Sequence, residues 1–190
     1  GIYEISLHSI CGRMNSIVIS EKKTSMNTLL SDLKQLTKVG LSLSVVFSSV
    51  AGYLLAVEVF DLATFLLLGL GGFFMVGASN AFNQIIEKDT DALMQRTKNR
   101  PLPTGRMSTN FAMFIAVLFT VLGLSILYSI NSKTALFGAI SIFIYTCAYT
   151  PLKSITPLTV FVGAIPGAIP FMLGWVAATN QFGIEAGMLF

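Results

Sequence analysis

Two carboxylates and a carboxamide recur at every fourth position in the stretch Asn80-Ala81-Phe82-Asn83-Gln84-Ile85-Ile86-Glu87-Lys88-Asp89-Thr90-Asp91. At about 100° per residue, Asn83, Glu87 and Asp91 fall within roughly 80° of one another on a continuing helix. Asn80 and Gln84 flank the same stripe, and Asp89 points nearly opposite Glu87. Oxygen donors on one helical face suit Mg²⁺, which takes one or two carboxylates and completes its shell with water and substrate phosphate. Glu87 and Asp91 are therefore the candidate metal ligands, with Asn83 beside them as a candidate catalytic residue. The ordinary alternative is a helix that ends in solvent, its carboxylates paired with Lys88 and Arg96. Spacing alone leaves the two readings even.

A basic loop follows directly, Leu93-Met94-Gln95-Arg96-Thr97-Lys98-Asn99-Arg100-Pro101-Leu102-Pro103-Thr104-Gly105-Arg106, broken by two prolines and a glycine. Beside an acidic stripe, its cations offer charge to phosphate oxygens that a metal does not cover. Positive charge in a loop next to a membrane has a simpler source, however, and the surrounding elements raise it.

Those elements are apolar. The chain of 190 residues is 54% hydrophobic and 11% charged, against roughly 25% charged in a soluble domain. Uncharged runs separate Lys38 from Glu58, Asp61 from Glu87, Arg106 from Lys133, Lys133 from Lys153 and Lys153 from Glu185. Roughly 20 apolar residues cross a hydrocarbon core as a helix, so five spans are expected, with Gly187–Phe190 as the start of a sixth. A soluble helical bundle would need polar stripes that these runs lack. Small residues before the acidic stripe (Gly71, Gly72, Gly77, Ala78, Ser79) allow close helix packing. The fold class is an all-α, polytopic membrane helical bundle.

All of the 12 lysines and arginines except Lys133 fall on one side when the spans alternate. By the positive-inside rule the N-terminus, the loop after the second span and Lys153 are expected to be cytoplasmic. The net charge of +3 then reflects orientation in a lipid bilayer, and no nucleic-acid partner is expected. Residues 1–38 read as a polar cytoplasmic arm whose end is expected to lie along the membrane surface, and residues 39–190 as a partial transmembrane domain. The arm lacks a secretory apolar core, and Glu21 and Asp32 argue against a mitochondrial transit peptide. Gly1 is not an initiator, and Met14 and Met26 are candidate starts, so residues 1–13 are expected to be non-native or upstream sequence. They hold His8 and Cys11; the other cysteine, Cys147, lies in an apolar run, so no disulfide framework is implied. Phe190 falls inside a hydrophobic run, which reads as truncation of a longer chain.

The series Asn83-x-x-x-Glu87-x-x-x-Asp91, then Met94-x-Arg96-Thr97-x-x-Arg100-Pro101-Leu102-Pro103-x-Gly105-Arg106, resembles the haem O synthases (protoheme IX farnesyltransferases) of the UbiA superfamily of intramembrane prenyltransferases. The wider superfamily usually has aspartate where Glu87 stands. Tyr149-Thr150-Pro151-Leu152-Lys153 resembles the family's Tyr-x-x-x-Lys element, and Gly163 to Trp175 its Gly/Pro-rich fifth span. The likeness runs in order from about Val39 to Trp175. It implies nine spans in the intact protein, a cell inner membrane location, and transfer of farnesyl from farnesyl diphosphate to a vinyl carbon of haem b, giving haem O. Haem b is then a substrate and Mg²⁺ the cofactor. A second Asp-rich motif and a histidine-containing stretch belong to the family beyond the point where this chain stops. The 190 residues alone are thus expected to insert without catalysing.

In this resemblance Glu87 and Asp91 hold the metal, while Arg96, Arg100 and Lys153 take up charge growing on the leaving diphosphate. Tyr149 either orients phosphate or anchors the interface. Phe73, Phe74 and Phe82 either pack in bulk, the commoner use, or face an allylic cation. Pro166 and Pro170 remove backbone donors and bend the fifth span; with Gly163, Gly167 and Gly174 they serve either a cavity for a flat macrocycle or close packing. Trp175 reads as an interfacial anchor. Two other functions compete: a related enzyme prenylating a quinone precursor or a chlorin, and a cation-coupled transporter, which would place its carboxylates near mid-span.

Overall fold

A computed structural model describes residues 26–153, 156 and 159–188. The chain divides into two compact units, residues 1–34 and Gln35–Phe190. Of the first, residues 26–34 are described and are helical; the rest of the expected arm, with Arg13, Lys22 and Lys23, lies outside the described residues.

Helix α1 covers 26–37. It is followed by α2 (Val39–Ala56), α3 (Leu62–Ile86), α4 (Lys88–Leu93), α5 (Thr109–Ile130) and α6 (Ser132–Phe143). A π-helical turn, Ile144–Tyr149, leads into the single turn α7 (Thr150–Leu152), then α8 (Thr159–Thr179) and α9 (Ile184–Met188). The five expected spans are present as α2, α3, α5, the run Ser132–Leu152 and α8. The expected start of a sixth appears only as the end of α9, and Leu189 and Phe190 lie outside the described residues. No strand occurs among the described residues.

Polar caps start three of the spans. Asp61 accepts from the amides of Ala63 and Thr64 at α3. Ser108 accepts from Phe111 at α5, and Asn131 from Thr134 at α6. Each cap satisfies amides that a helix N-terminus leaves without intrahelical partners. The Tyr53 hydroxyl, buried at the other end of α2, donates to the Asp61 carbonyl at 3.1 Å and accepts from its amide. That staples the short α2–α3 loop.

Helix α3 packs on α2 and α5, α5 on α6, and α8 on both α2 and α6. Backbones of α2 and α8 touch: a Cβ at Gly52 would overlap the Phe171 carbonyl, and one at Gly174 the Ser49 carbonyl. Gly174 is therefore a packing residue. Tyr53, Leu68, Met75, Leu127, Leu173 and Val176 form the buried core, with Phe82 and Trp175 packed against it. Phe73 meets Phe74, which meets Phe119 edge-on at 4.9 Å, so all three candidate phenylalanines serve packing. Outward, Phe47, Leu55, Phe114, Phe143 and Phe161 are exposed. Lipid tails are the solvent in which such a surface is stable.

Candidate active site

Helix α3 does not run unbroken through the acidic stripe. Glu87 adopts φ −87° and ψ 5° between α3 and α4. The register nevertheless survives, because the Glu87 amide donates to the Asn83 carbonyl (2.9 Å) and the Asp91 amide to the Glu87 carbonyl (2.7 Å). Asn83 and Asp91 are buried, Glu87 is half-buried, and Asp89 is exposed, as the helical arithmetic requires.

The carboxylates pair with cations from elsewhere in the chain. Asp91 meets Arg100 at 2.5 Å and Glu87 meets Lys153 at 3.2 Å. Arg100 is delivered by a folded loop: Thr97 donates its hydroxyl to the Asp91 carbonyl, Pro101 and Leu102 are buried, and Gly105 takes the positive φ of 73° that its turn demands. Lys153 arrives at the end of the fourth span. Pairing with Lys88 and Arg96, the alternative left open by the sequence, is not what forms. Lys88 donates to the Thr109 hydroxyl, and Arg96 is exposed on the rim.

Two residues enter the cluster that sequence reasoning did not place there. Asn83 donates to the Thr150 hydroxyl and accepts from the Lys38 ammonium, each at 3.4 Å. Burial, and next the neighbouring Arg100 guanidinium, hold the Lys38 pKa below the ordinary lysine range; a buried cation beside like charge loses its proton more readily. Asn80 and Gln84 take a different part from the stripe. Their carboxamides donate to carbonyls at the end of α1, those of Thr37, Gln35 and Leu36.

A cleft of about 610 Å³ is lined by Glu87, Asp91, Arg96, Arg100, Thr150 and Lys153. A cavity of about 660 Å³ lies further back along α3, at Val76, Ser79 and Asn80, and is walled by Tyr145, Tyr149, Gly163, Pro166, Gly167 and Pro170. A further space of about 410 Å³ shares Val45, Val76, Ser79, Ser141 and Pro170 with it and reaches Met75, Leu127 and Gly138. Tyr149 stacks on Tyr145 at 5.2 Å, and its ring fills the place where Gly163 lacks a side chain. Of the two uses left open for the Gly/Pro segment, close packing is seen at Gly163 against Tyr149, while Gly167, Pro166 and Pro170 line the cavity. Pro166 and Pro170 also leave the Val162 and Pro166 carbonyls without the usual helical donor.

The donor chemistry fits Mg²⁺. Among the described residues no group of three or more His, Cys, Asp or Glu side chains converges. Glu87 and Asp91 are the one or two carboxylates that such a hard ion takes alongside phosphate and water.

Residues 45–190 match the UbiA prenyltransferase family. The chain belongs to that family. A protoheme IX farnesyltransferase of Flavobacterium psychrophilum is 67% identical over 168 residues, covering 87% of this chain and 56% of the relative. The human mitochondrial protoheme IX farnesyltransferase is 41% identical over 170 residues, covering 89% and 38% respectively. The chain spans about half the length of the bacterial relatives it matches. Among solved structures, a digeranylgeranylglyceryl phosphate synthase aligns with TM-score 0.75 and 23% identity, over 84% of this chain and 56% of that one. A UbiA homolog from Archaeoglobus fulgidus bound to DMAPP and Mg²⁺ aligns with TM-score 0.73 and 20% identity, over 83% and 58%. As a UbiA-family chain with five apolar spans it is a multi-pass membrane protein.

Proposed function

We propose that this chain carries the first carboxylate motif and half the cavity of an enzyme that transfers farnesyl from farnesyl diphosphate to a vinyl carbon of haem b. The observation that carries the reaction class is a charged cleft and an apolar cavity that follow one another along α3 and the end of the fourth span, Tyr149 lining the cavity and Thr150 the cleft. The cleft suits a diphosphate and the cavity suits its isoprenoid tail. The acceptor rests on the relatives, named protoheme IX farnesyltransferase at up to 67% identity.

Glu87 and Asp91, with Asn83 beside them, are the residues that would hold Mg²⁺. When bound, the ion supplies charge that weakens the bond to the departing diphosphate. Arg100 and Lys153 already sit within hydrogen-bond reach of these carboxylates, so a small movement turns them onto phosphate oxygens; Arg96 covers the open rim. The C1–O bond of the allylic diphosphate breaks with its electron pair on the leaving group. The vinyl π electrons then close the new carbon–carbon bond and leave the positive charge on the vinyl carbon beside the macrocycle, where water adds and loses a proton to give a neutral product. The apolar walls keep water from the allylic cation until that bond forms. Tyr149, which lines the apolar cavity next in sequence to Thr150 of the cleft, orients the substrate where phosphate meets tail.

The transporter reading loses ground because Glu87 and Asp91 sit at the end of a span. The quinone and chlorin reading gains no support from relatives named for haem. The proposed site is the cell inner membrane with the N-terminus cytoplasmic. The test is to extract haems from cells with and without the intact gene. Loss of haem O with accumulation of haem b supports the proposal, and unchanged haem O defeats it.

A further inference from the structure

The junction of α1 and α2 is the one place in the cluster where the backbone is strained. Lys38 has φ 47° and ψ 57°, a left-handed conformation in which an L side chain crowds its own carbonyl and which glycine adopts freely. Strain of this kind persists only where surrounding contacts over-determine it. Here they do. Asn80 donates to the Thr37 carbonyl at 3.3 Å, and Gln84 to those of Gln35 (2.9 Å) and Leu36 (2.8 Å). The Ser42 hydroxyl donates to Thr37 and its amide to Lys38. The end of α1 is thereby tied to α3 within two turns of Glu87.

A lysine at a membrane boundary ordinarily extends its ammonium toward water and headgroups. Lys38 instead turns inward. It is half-buried, and its ammonium reaches the Asn83 carboxamide at 3.4 Å. Arg100 and Lys153 each rest on a carboxylate, whereas the hydrogen-bond partner of Lys38 is neutral. Its positive charge is thus uncompensated by direct contact, and a half-buried cation in that condition favours an anion.

We infer that Lys38 is a further substrate-binding residue, an ammonium held by a left-handed hinge so as to meet the diphosphate beside Asn83. This rests on the prenyl-transfer reading above. A glycine would make the same turn without strain, and the lysine is explained by its charge.

The experiment uses a protein of the relatives' full length that carries these residues. It compares Lys38→Met, Lys38→Gly and Lys38→Arg for inorganic pyrophosphate affinity in the presence of Mg²⁺, for KM toward farnesyl diphosphate, and for thermal stability. The Met and Gly variants should bind pyrophosphate roughly 10-fold or more weakly and raise KM alike, as loss of one charge-assisted contact does. Lys38→Arg should recover most of that affinity. Lys38→Gly should melt no lower than the parent, which separates binding from folding should Lys38→Met fail to fold. Unchanged pyrophosphate affinity in Lys38→Gly, or a loss that only tracks stability, overturns the role of Lys38 and leaves the prenyl-transfer reading standing. A parent protein that does not bind pyrophosphate at all overturns both.

Discussion

Asp91 is almost wholly buried against Arg100, whereas Asp89, two positions earlier, is exposed. Substituting each separates the two faces of one helical turn. In the full-length protein Glu87→Gln and Asp91→Asn are each expected to cut haem O formation on the order of 100-fold or more. Asp89→Asn should leave it nearly intact. Asp91→Asn should also cost about 2 kcal/mol, because the half-buried Arg100 loses a charge-assisted hydrogen bond; melting in detergent reads that directly. Equal losses from all three substitutions would show that the face is assigned wrongly. Lys38 supplies a pH test. Its charged form is the proposed binder and its pKa is lowered, so diphosphate affinity should fall at lower pH than an exposed lysine would dictate. Stability moves the other way. Between the lowered folded value and the ordinary one the unfolded chain binds more protons, so this group's contribution to stability rises with pH. Glu87, Asp91, Arg100 and Lys153 face the same space. Lys38→Arg, which stays charged, should remove the Lys38 part of the alkaline fall, and an unchanged profile would assign that fall elsewhere.

Helices α2 and α8 cross where Gly52 and Gly174 stand opposite backbone. A methyl group there has carbonyls for neighbours, which cannot step aside as a flexible side chain does. Gly52→Ala and Gly174→Ala are therefore expected to destabilise the protein by about 2 kcal/mol or more, as overpacking does. Gly167→Ala, where an added Cβ meets nothing within 4 Å, should change the melting temperature little. If the three variants melt together, the close approach of α2 and α8 is wrong. The π-helical turn before Thr150 belongs to the same scale. It advances the fourth span so that Tyr145 and Tyr149 stack beside the cavity while Thr150 reaches Asn83. Local π-turns of this kind are frequent at functional sites.

Across the whole molecule, charge asymmetry carries the prediction. Lys98 and Lys153 should share the cytoplasmic side with the N-terminus, and the α5–α6 turn should face out. In a background without Cys11 and Cys147, an impermeant thiol reagent added to intact cells should label Ser132→Cys, which is exposed beside the Asn131 cap. It should not label Lys98→Cys. Labelling at residue 98 from outside would reverse the orientation.

The five spans, the membrane class and the one-sided charge were all legible in the residues, because hydropathy over a helix length is a local property that lipid enforces. The stripe of Asn83, Glu87 and Asp91 was legible for the same reason: helical geometry places residues four apart on one face whatever surrounds them. Family motifs added Arg100 and Lys153, but not that each grips one particular carboxylate. The Lys153–Glu87 contact joins residues 66 apart, and only the packing of the spans sets their separation. Lys38 was read as a flanking positive charge, since nothing local marks a lysine as left-handed. Asn80 and Gln84 were read by their spacing as flanking the stripe, and tertiary structure gave them the carbonyls of α1. A buried carboxamide goes to whichever unpaired backbone group lies within reach, and that is decided by which helices meet.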